Sequence, residues 1–322
     1  MIVERFQRSV EIDWAPAYEL LVSLQAFANR SDHSTLELGS EWLKRIRQQI
    51  QPELMENISF PTALEYVDAI SLLIHQCPVE RDAIGFIAWL DALPLGELYE
   101  RLEPHILRGR EELLSDLGAQ RTRHVALLTA WNEQYFSHLD PAILAGLKAD
   151  AEAKRALAAS TAPDQLLEIA TSGILFSDGD IAETILLVPQ YHYRPWNLYS
   201  EYRGWRLFHY PVDALPLGAG EPPPHLVRVT RALADPSRLR ILRHLAQRPH
   251  RFTELVQCSG LSKSTVHHHM VILRAARLVR VHDAGSGPDT YVLRHNALDD
   301  LAAQLSTYIS AENPTSPGEK HG

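Results

Sequence analysis

The stretch Thr253–Val279 reads TELVQCSGLSKSTVHHHMVILRAARLV. Its opening, with the preceding Arg251-Phe252, has the pattern of a helix of about two turns, for which Thr253 can serve as the cap. Ser259-Gly260 then reads as a tight turn, because glycine tolerates positive φ. Ser262 is placed to cap a longer helix over 262–278. Within it Val266, Met270 and Leu273 recur at helical spacing and turn toward a core, while Lys263, Ser264, His267 and Arg274 fall mostly on the other faces. Two helices joined by a short glycine turn, the second starting with small polar and basic residues, are the parts of a helix-turn-helix. Ser, Thr, Lys and His can bond base edges or phosphates, and short side chains at a helix N-terminus let it approach a major groove closely.

The flanks agree with this reading. Downstream, Leu278–Asp283 (LVRVHD) and Asp289–Arg294 (DTYVLR) enclose the glycine-containing loop 284–288, which reads as strand, turn, strand. Ala297–Ser310 follows as an amphipathic helix with Leu298, Leu301, Leu305 and Ile309 spaced apolar. Upstream, Leu226–Ala246 carries a buried stripe of Val229, Leu233, Leu239, Leu242 and Leu245. Asp235-Pro236-Ser237 interrupts that stripe, so two helical pieces are expected, with Asp235 as cap and Pro236 in the first turn.

With ALADPSRLRIL (Ala232–Leu242), Thr253–Val279 and the glycine-tipped hairpin in this order, the segment resembles the ArsR-type winged helix-turn-helix repressors over about 85 of the 322 residues. The resemblance implies a homodimer on double-stranded operator DNA, with one recognition helix in each major groove and regulation by release from DNA. It implies recognition positions at Ser262, Lys263, Ser264, Thr265, His267 and His268, and His267 stands where the family commonly has Ser. Arg274 on the same helix, and Arg280 and Arg294 flanking the hairpin tip, complete the expected DNA-binding set. The tip itself carries Asp283 and Asp289 in place of basic residues, which weakens the case for tight phosphate contact there.

Metal sensors of this family often place a Cys-x-Cys pair in the first helix of the motif, where this chain has only Cys258. Others use Asp and His on the last helix, where this chain has Asp299 and Asp300 but no His. Consecutive helical residues point about 100° apart, so His267, His268 and His269 cannot chelate one ion together; His269 is expected to pack inward. No metal and no cofactor is therefore expected. Cys258 reads as a small buried residue, and Arg238, Arg240 and Arg243 read either as a solvated helix face or as phosphate contacts.

Farther out, LPLGAGEPPP at residues 215–224 reads as a linker, since three consecutive prolines continue neither a helix nor a central strand. The expected organisation is an α-rich domain at 1–214, this linker, the winged helix at 225–310, and a disordered tail at 311–322. Residues 1–224 hold 18 Lys/Arg and 32 Asp/Glu, net −14, whereas residues 225–310 hold 12 and 6, net +6, with eight of the 16 His. The whole-chain charge of −9 is therefore an average over an acidic part and a basic part suited to a polyanion.

The large domain loosely resembles an N-terminal module that precedes this winged helix in some bacterial regulators, starting with the Pro-x-x-Glu-Leu-Leu-x-Ser-Leu stretch at Pro16–Leu24. Helical periodicity runs through Ala17–Ala28, Glu37–Ile50, Pro61–His75, Ala83–Leu93, Arg121–Phe136 and Pro141–Ala159. Glu183–Pro189 and Trp205–Tyr210 read as strands, with Val10–Trp14 as a candidate third. The fold class is thus mainly α with a small β content: an α+β domain followed by a winged helix-turn-helix. All six Trp precede the linker. Tyr191, His192, Tyr193, Arg194 and Trp196 read either as the lining of a pocket for a small-molecule effector or as an amphipathic hairpin packed on helices.

Nucleophile-elbow, phosphate-loop and paired-cysteine motifs are missing from the sequence, so a non-enzymatic regulator is expected. With 45% hydrophobic and 22% charged residues, the chain is ordinary for a soluble protein. Two distant cysteines, Cys77 and Cys258, and the lack of a long apolar run suggest the cytoplasm, with no membrane partner. The leading expectation is a dimeric DNA-binding transcriptional regulator that acts as a repressor; the alternatives are a small-molecule enzyme, or a protein-interaction module, with an accessory winged helix.

Overall fold

The computed structural model describes residues 9–58, 67–176, 184–213, 222–283, 289–294 and 296–310. The chain forms two compact units: Met1–Leu166 with Ile181–Val212, and Leu167–Asp180 with Asp213–Gly322. Most of the expected linker and all of the tail at 311–322 lie outside the described residues. Among the described residues no helix is long and apolar enough to cross a membrane.

The first unit combines a helical layer with a four-stranded sheet. Its helices are Pro16–Ala28 (α1), Gly39–Gln49 (α2), Pro52–Ile58 (α3), Val67–Gln76 (α4), Ala83–Ala92 (α5), Leu95–Leu102 (α6), Leu117–Gln134 (α7) and Pro141–Ala158 (α8). Its strands are Ser9–Ile12 (β1), Thr184–Gln190 (β3), Leu198–Tyr202 (β4) and Trp205–Pro211 (β5), in the order β1-β3-β5-β4. The TILLVPQ run of β3 is buried from Ile185 onward, as a strand between two parallel neighbours requires. The strand expected near Val10 is present as β1, and Leu198–Tyr202 adds β4, antiparallel to β5. The expected Pro61–His75 helix is seen as α4; residues 61–66 lie outside the described residues.

Helix α1 is apolar nearly all round, so it lies within the core. Tyr18, Leu20, Val22 and Ala26 are buried there with Trp131, Phe86 and Leu72. Three polar residues go in with them, and each is matched. Asp13 accepts from Arg81 Nη1 at 2.6 Å and Tyr18 Oη at 2.8 Å. Ser23 Oγ donates to the Leu20 carbonyl and accepts from Trp131 Nε1 at 2.9 Å. Glu19 is taken up with the candidate site below.

His209 on β5 is also buried, edge-on to Tyr18 with ring centroids 5.7 Å apart. Burial alone pushes its imidazolium down to about 3 from the usual 6.5. Between those values the unfolded chain takes up a proton that the folded unit refuses, so stability falls as pH falls through this window. The limiting slope is about 1.4 kcal/mol per pH unit. Urea unfolding at pH 7, 6, 5 and 4 is expected to show this loss, reduced in His209→Leu; an unchanged slope in the variant would refute the assignment.

The second unit contains Ile174–Phe176 (β2), Pro224–Leu233 (α10), Pro236–Gln247 (α11), His250–Arg251 (β6), Phe252–Ser259 (α12), Lys263–Ala275 (α13), Val279–Asp283 (β7), Thr290–Leu293 (β8) and Asn296–Ser310 (α14), following the helix Pro163–Thr171 (α9) that leads into it. Its sheet runs β2-β7-β8-β6. The β7-β8 hairpin is the expected one, but two further strands flank it. β6 pairs His250 with Tyr291, and β2 pairs in parallel with β7 through Ile174↔Val281. Residues 167–180, read from sequence as part of the first domain, thus group with the winged helix. Gly173 makes the β2 pairing possible: its φ is +120°, and an added Cβ would lie 3.3 Å from Arg280 Cα and the Val279 carbonyl oxygen.

The core of this unit gathers Ile241, Leu242, Leu245, Leu255, Val266, Met270, Leu273, Leu278 and Leu293. Leu239, expected in the buried stripe, is instead 48% exposed. At about 100° per residue it points some 200° from Ile241, and Ile241, Leu242 and Leu245 define the buried face. Thr253 does not cap α12; Arg251 holds the N-cap position, and its backbone N–H donates to Glu254 Oε2 at 2.7 Å.

Candidate nucleic-acid interface

The turn between α12 and α13 is set by Gly260, whose φ of +67° ends α12 in the left-handed region. Ser262 then caps α13, its Oγ accepting from the Thr265 backbone N–H at 3.2 Å. That hydroxyl also lies 2.7 Å from Thr265 Oγ1 and 3.0 Å from Ser264 Oγ, so the first turn presents a cluster of hydroxyls. Val266, His269, Met270 and Leu273 are buried. Ser262, Lys263, Ser264, His267, His268 and Arg274 are exposed, and Thr265 is half-buried. Helical geometry brings Lys263, His267 and Arg274 onto one outward stripe, flanked by Ser264 and His268. The His267 ring stands edge-on to Phe252 of α12, centroids 6.4 Å apart.

His269 faces inward, and burial lowers its pKa. The three consecutive histidines therefore divide as the helix dictates, two outward and one inward.

Several other cations of this unit bond internally. Asp213 bridges Arg228 at 3.0 Å and Arg277 at 2.8 Å. Burial and the nearby Arg277 push the Arg228 guanidinium down to about 9. Arg280 pairs with Glu168 of α9 at 2.5 Å. Arg294 is half-buried, and burial lowers its pKa. Arg238 reaches back to the Ala232 carbonyl at 2.7 Å and closes the end of α10. Arg240 and Arg243 are exposed. Of the expected DNA-facing set, Arg280 is paired with Glu168 and Arg294 is half-buried, while Lys263, His267, His268 and Arg274 are exposed. The +6 balance also left out Glu168 and Asp213, which lie in this same unit. The loop 284–288 is outside the described residues.

The five residues read as a pocket lining or as a hairpin packed on helices make the following contacts. His192 is fully buried, its Nδ1 2.5 Å from Glu19 Oε1 and its Nε2 2.6 Å from Tyr135 Oη. Glu19 can only accept as a carboxylate, so Nδ1 donates and Nε2 accepts from the tyrosine. Tyr135 Oη accepts in turn from Trp42 Nε1 at 2.9 Å. The backbone N–H groups of Tyr191 and His192 also donate to Glu19. Tyr193 Oη donates to Asp32, Arg194 Nη1 to the Val212 carbonyl at 3.2 Å, and Trp196 Nε1 to Thr35 at 3.0 Å. The Arg194 guanidinium lies over the Tyr191 ring, 4.1 Å from its centroid. The side-chain polar atoms of His192, Tyr193 and Trp196 named here thus bond within the fold. A small cavity in this unit is lined by Leu21, Leu24, Gln25, Ala28, His124 and Leu127 among others, and by none of the five.

Residues 235–281 match the family model described as bacterial regulatory protein, arsR family. The chain is similar to three solved structures over about a quarter of its length. One is an ArsR-like transcriptional regulator from Rhodococcus sp. RHA1, with 26% identity over 26% of this chain and 76% of that one, TM-score 0.24. Another is NolR from Sinorhizobium fredii, with 27% identity over 27% and 87%, TM-score 0.22. The third is the homodimeric winged helix-turn-helix DNA-binding domain of a possible ArsR-family regulator from Mycobacterium bovis, with 24% identity over 30% and 88%, TM-score 0.22. No curated protein sequence matches the chain.

Proposed function

We propose, on the premise of an ArsR-family helix-turn-helix at residues 235–281, that the chain is a DNA-binding transcriptional regulator that acts as a dimeric repressor. The observation that carries this reading is the division of α13. Its core face is closed by Val266, Met270 and Leu273, while Ser262, Lys263, Ser264, His267, His268 and Arg274 are exposed on a helix whose first turn is rich in hydroxyls. Lys263 and Arg274 meet phosphates, and His267 and His268 meet base edges. The helix N-terminus favours a further phosphate. Arg280 and Arg294 take a smaller part, since Arg280 is paired with Glu168 and Arg294 is half-buried.

Dimer formation is supported by α14. Leu298, Leu305 and Ile309 recur on it at helical spacing and are 42%, 36% and 71% exposed, an apolar stripe that a second copy would cover. The first unit has its own core and provides the separate body that an effector-sensing or dimer-controlling role needs.

Mobility-shift titrations against DNA from upstream of its own gene test the assignments. Lys263→Ala is expected to weaken binding to all sequences alike and to lower the salt slope by about 1 per subunit. His267→Ala is expected to change base preference, with a cost of about 1–3 kcal/mol at one position of the site. Equal losses on cognate and scrambled DNA for His267→Ala would overturn its base-reading role.

A further inference from the structure

Three residues that sequence spacing keeps apart meet at the base of the first helix-turn-helix helix. His244 lies in the last turn of α11, His250 opens β6, and Cys258 lies in the last turn of α12. One side-chain nitrogen from each histidine and the Cys258 sulfur all lie within 4.8 Å of one another. The two imidazoles meet edge to face, with centroids 6.2 Å apart at 69°. From these contacts we propose that His244, His250 and Cys258 form a binding site for a thiophilic divalent cation of the zinc class.

The surroundings fit a ligand set. His250 is buried and held by the β6–β8 pairing opposite Tyr291. Its Nδ1 lies 2.8 Å from the Arg248 carbonyl oxygen, which can only accept, so the proton sits on Nδ1 and Nε2 offers its lone pair. This carbonyl contact is the outer-shell partner that fixes tautomer and ring orientation at histidine metal sites. His244 is half-buried and Cys258 is exposed, so an ion can reach the cluster from solvent.

Two imidazoles and a thiolate select zinc, cobalt or copper and disfavour magnesium and calcium, which want oxygen. Tetrahedral zinc, with bonds of ~2.0–2.1 Å to nitrogen and ~2.3 Å to sulfur, sets its donors roughly 3.3–3.6 Å apart. From the present spacing of up to 4.8 Å the donors draw in by as much as about 1.5 Å on binding. The fourth position stays open to water or a further ligand. Binding would join the end of α11, strand β6 and the end of α12, directly ahead of Gly260 and the turn into α13.

The site differs from both arrangements weighed in the sequence. It needs no second cysteine in the helix and no ligand on α14. Cys258, read there as a small buried residue, is exposed.

The test uses the full-length protein, stripped with a chelator and titrated with Co²⁺ and then Zn²⁺. One equivalent of Co²⁺ is expected to bind in tetrahedral form with a thiolate-to-cobalt charge-transfer band, and Zn²⁺ is expected to displace it. Cys258→Ser is expected to lose that band. His244→Ala and His250→Ala are each expected to weaken binding by at least about 10–100-fold, the range that loss of an outer-shell partner alone produces. Cys77→Ser, which alters the buried cysteine of the other unit, is expected to change nothing. Circular dichroism establishes that each variant is folded. No thiolate band in the parent protein, or the same band in folded Cys258→Ser, overturns the proposal. DNA binding is not part of the readout, so the result stands apart from the regulatory reading.

Discussion

Glu19→Ala is expected to lower the unfolding free energy of the first unit by at least about 3 kcal/mol, because it leaves three buried donors without their acceptor. Glu19 has no exposed surface and receives three donors: the backbone N–H groups of Tyr191 and His192, and His192 Nδ1. Alanine would strand all three in a site closed to water, at about 1–3 kcal/mol for each donor left unpaired. The damage would spread along the chain of contacts. His192 would lose the acceptor that fixes its tautomer, and Tyr135 and Trp42 hydrogen-bond through it. Glu19→Gln keeps the shape but presents an amide nitrogen to donors, so an intermediate loss is expected. Urea unfolding followed by tryptophan fluorescence checks this cleanly, because all six Trp lie in the first unit. A loss below about 1 kcal/mol for Glu19→Ala, less than one stranded donor is expected to cost, would contradict this account of the network.

The winged helix was legible because its signals are local. A capping serine, a glycine at the turn and apolar residues at i, i+4 and i+7 specify two helices and their junction without distant information. The helices α10 and α11 separated at Asp235-Pro236 for the same reason: the aspartate accepts from the N–H groups of Ser237 and Arg238 at 2.7 and 3.0 Å. What was not legible depends on long-range pairing. Three residues, Ile174–Phe176, are too few to show a period, and their partner strand begins more than a hundred positions later. Glu168 and Asp213 were counted with the acidic domain, although they pair with Arg280, Arg228 and Arg277 of the basic one. The aromatic run around Tyr191 has the composition of a pocket and of a core alike, and its bonds to Glu19, 172 residues earlier, leave no trace in the local pattern. His244, His250 and Cys258 follow no motif spacing, because they converge from a helix, a strand and a second helix.

The salt dependence of DNA binding carries the other large effect. If the dimer neutralises about 6–10 phosphates, its affinity falls by about 10³–10⁵ between 50 and 200 mM salt, because each contact releases condensed counterions. The cations available for this are those not held by the fold's own carboxylates, with exposed Lys263, Arg274, Arg240 and Arg243 foremost. The net charge of −9 does not oppose such binding, since the groups that meet DNA need be basic only on the contacting face. Fluorescence anisotropy of the full-length protein on labelled upstream DNA, run from 50 to 200 mM salt, tests the central claim most directly. A linear fall of log affinity with log salt over about three to five decades is expected, made shallower by Lys263→Ala. Folded protein that leaves the DNA unbound at 50 mM, or binds it with an affinity indifferent to salt, would contradict it.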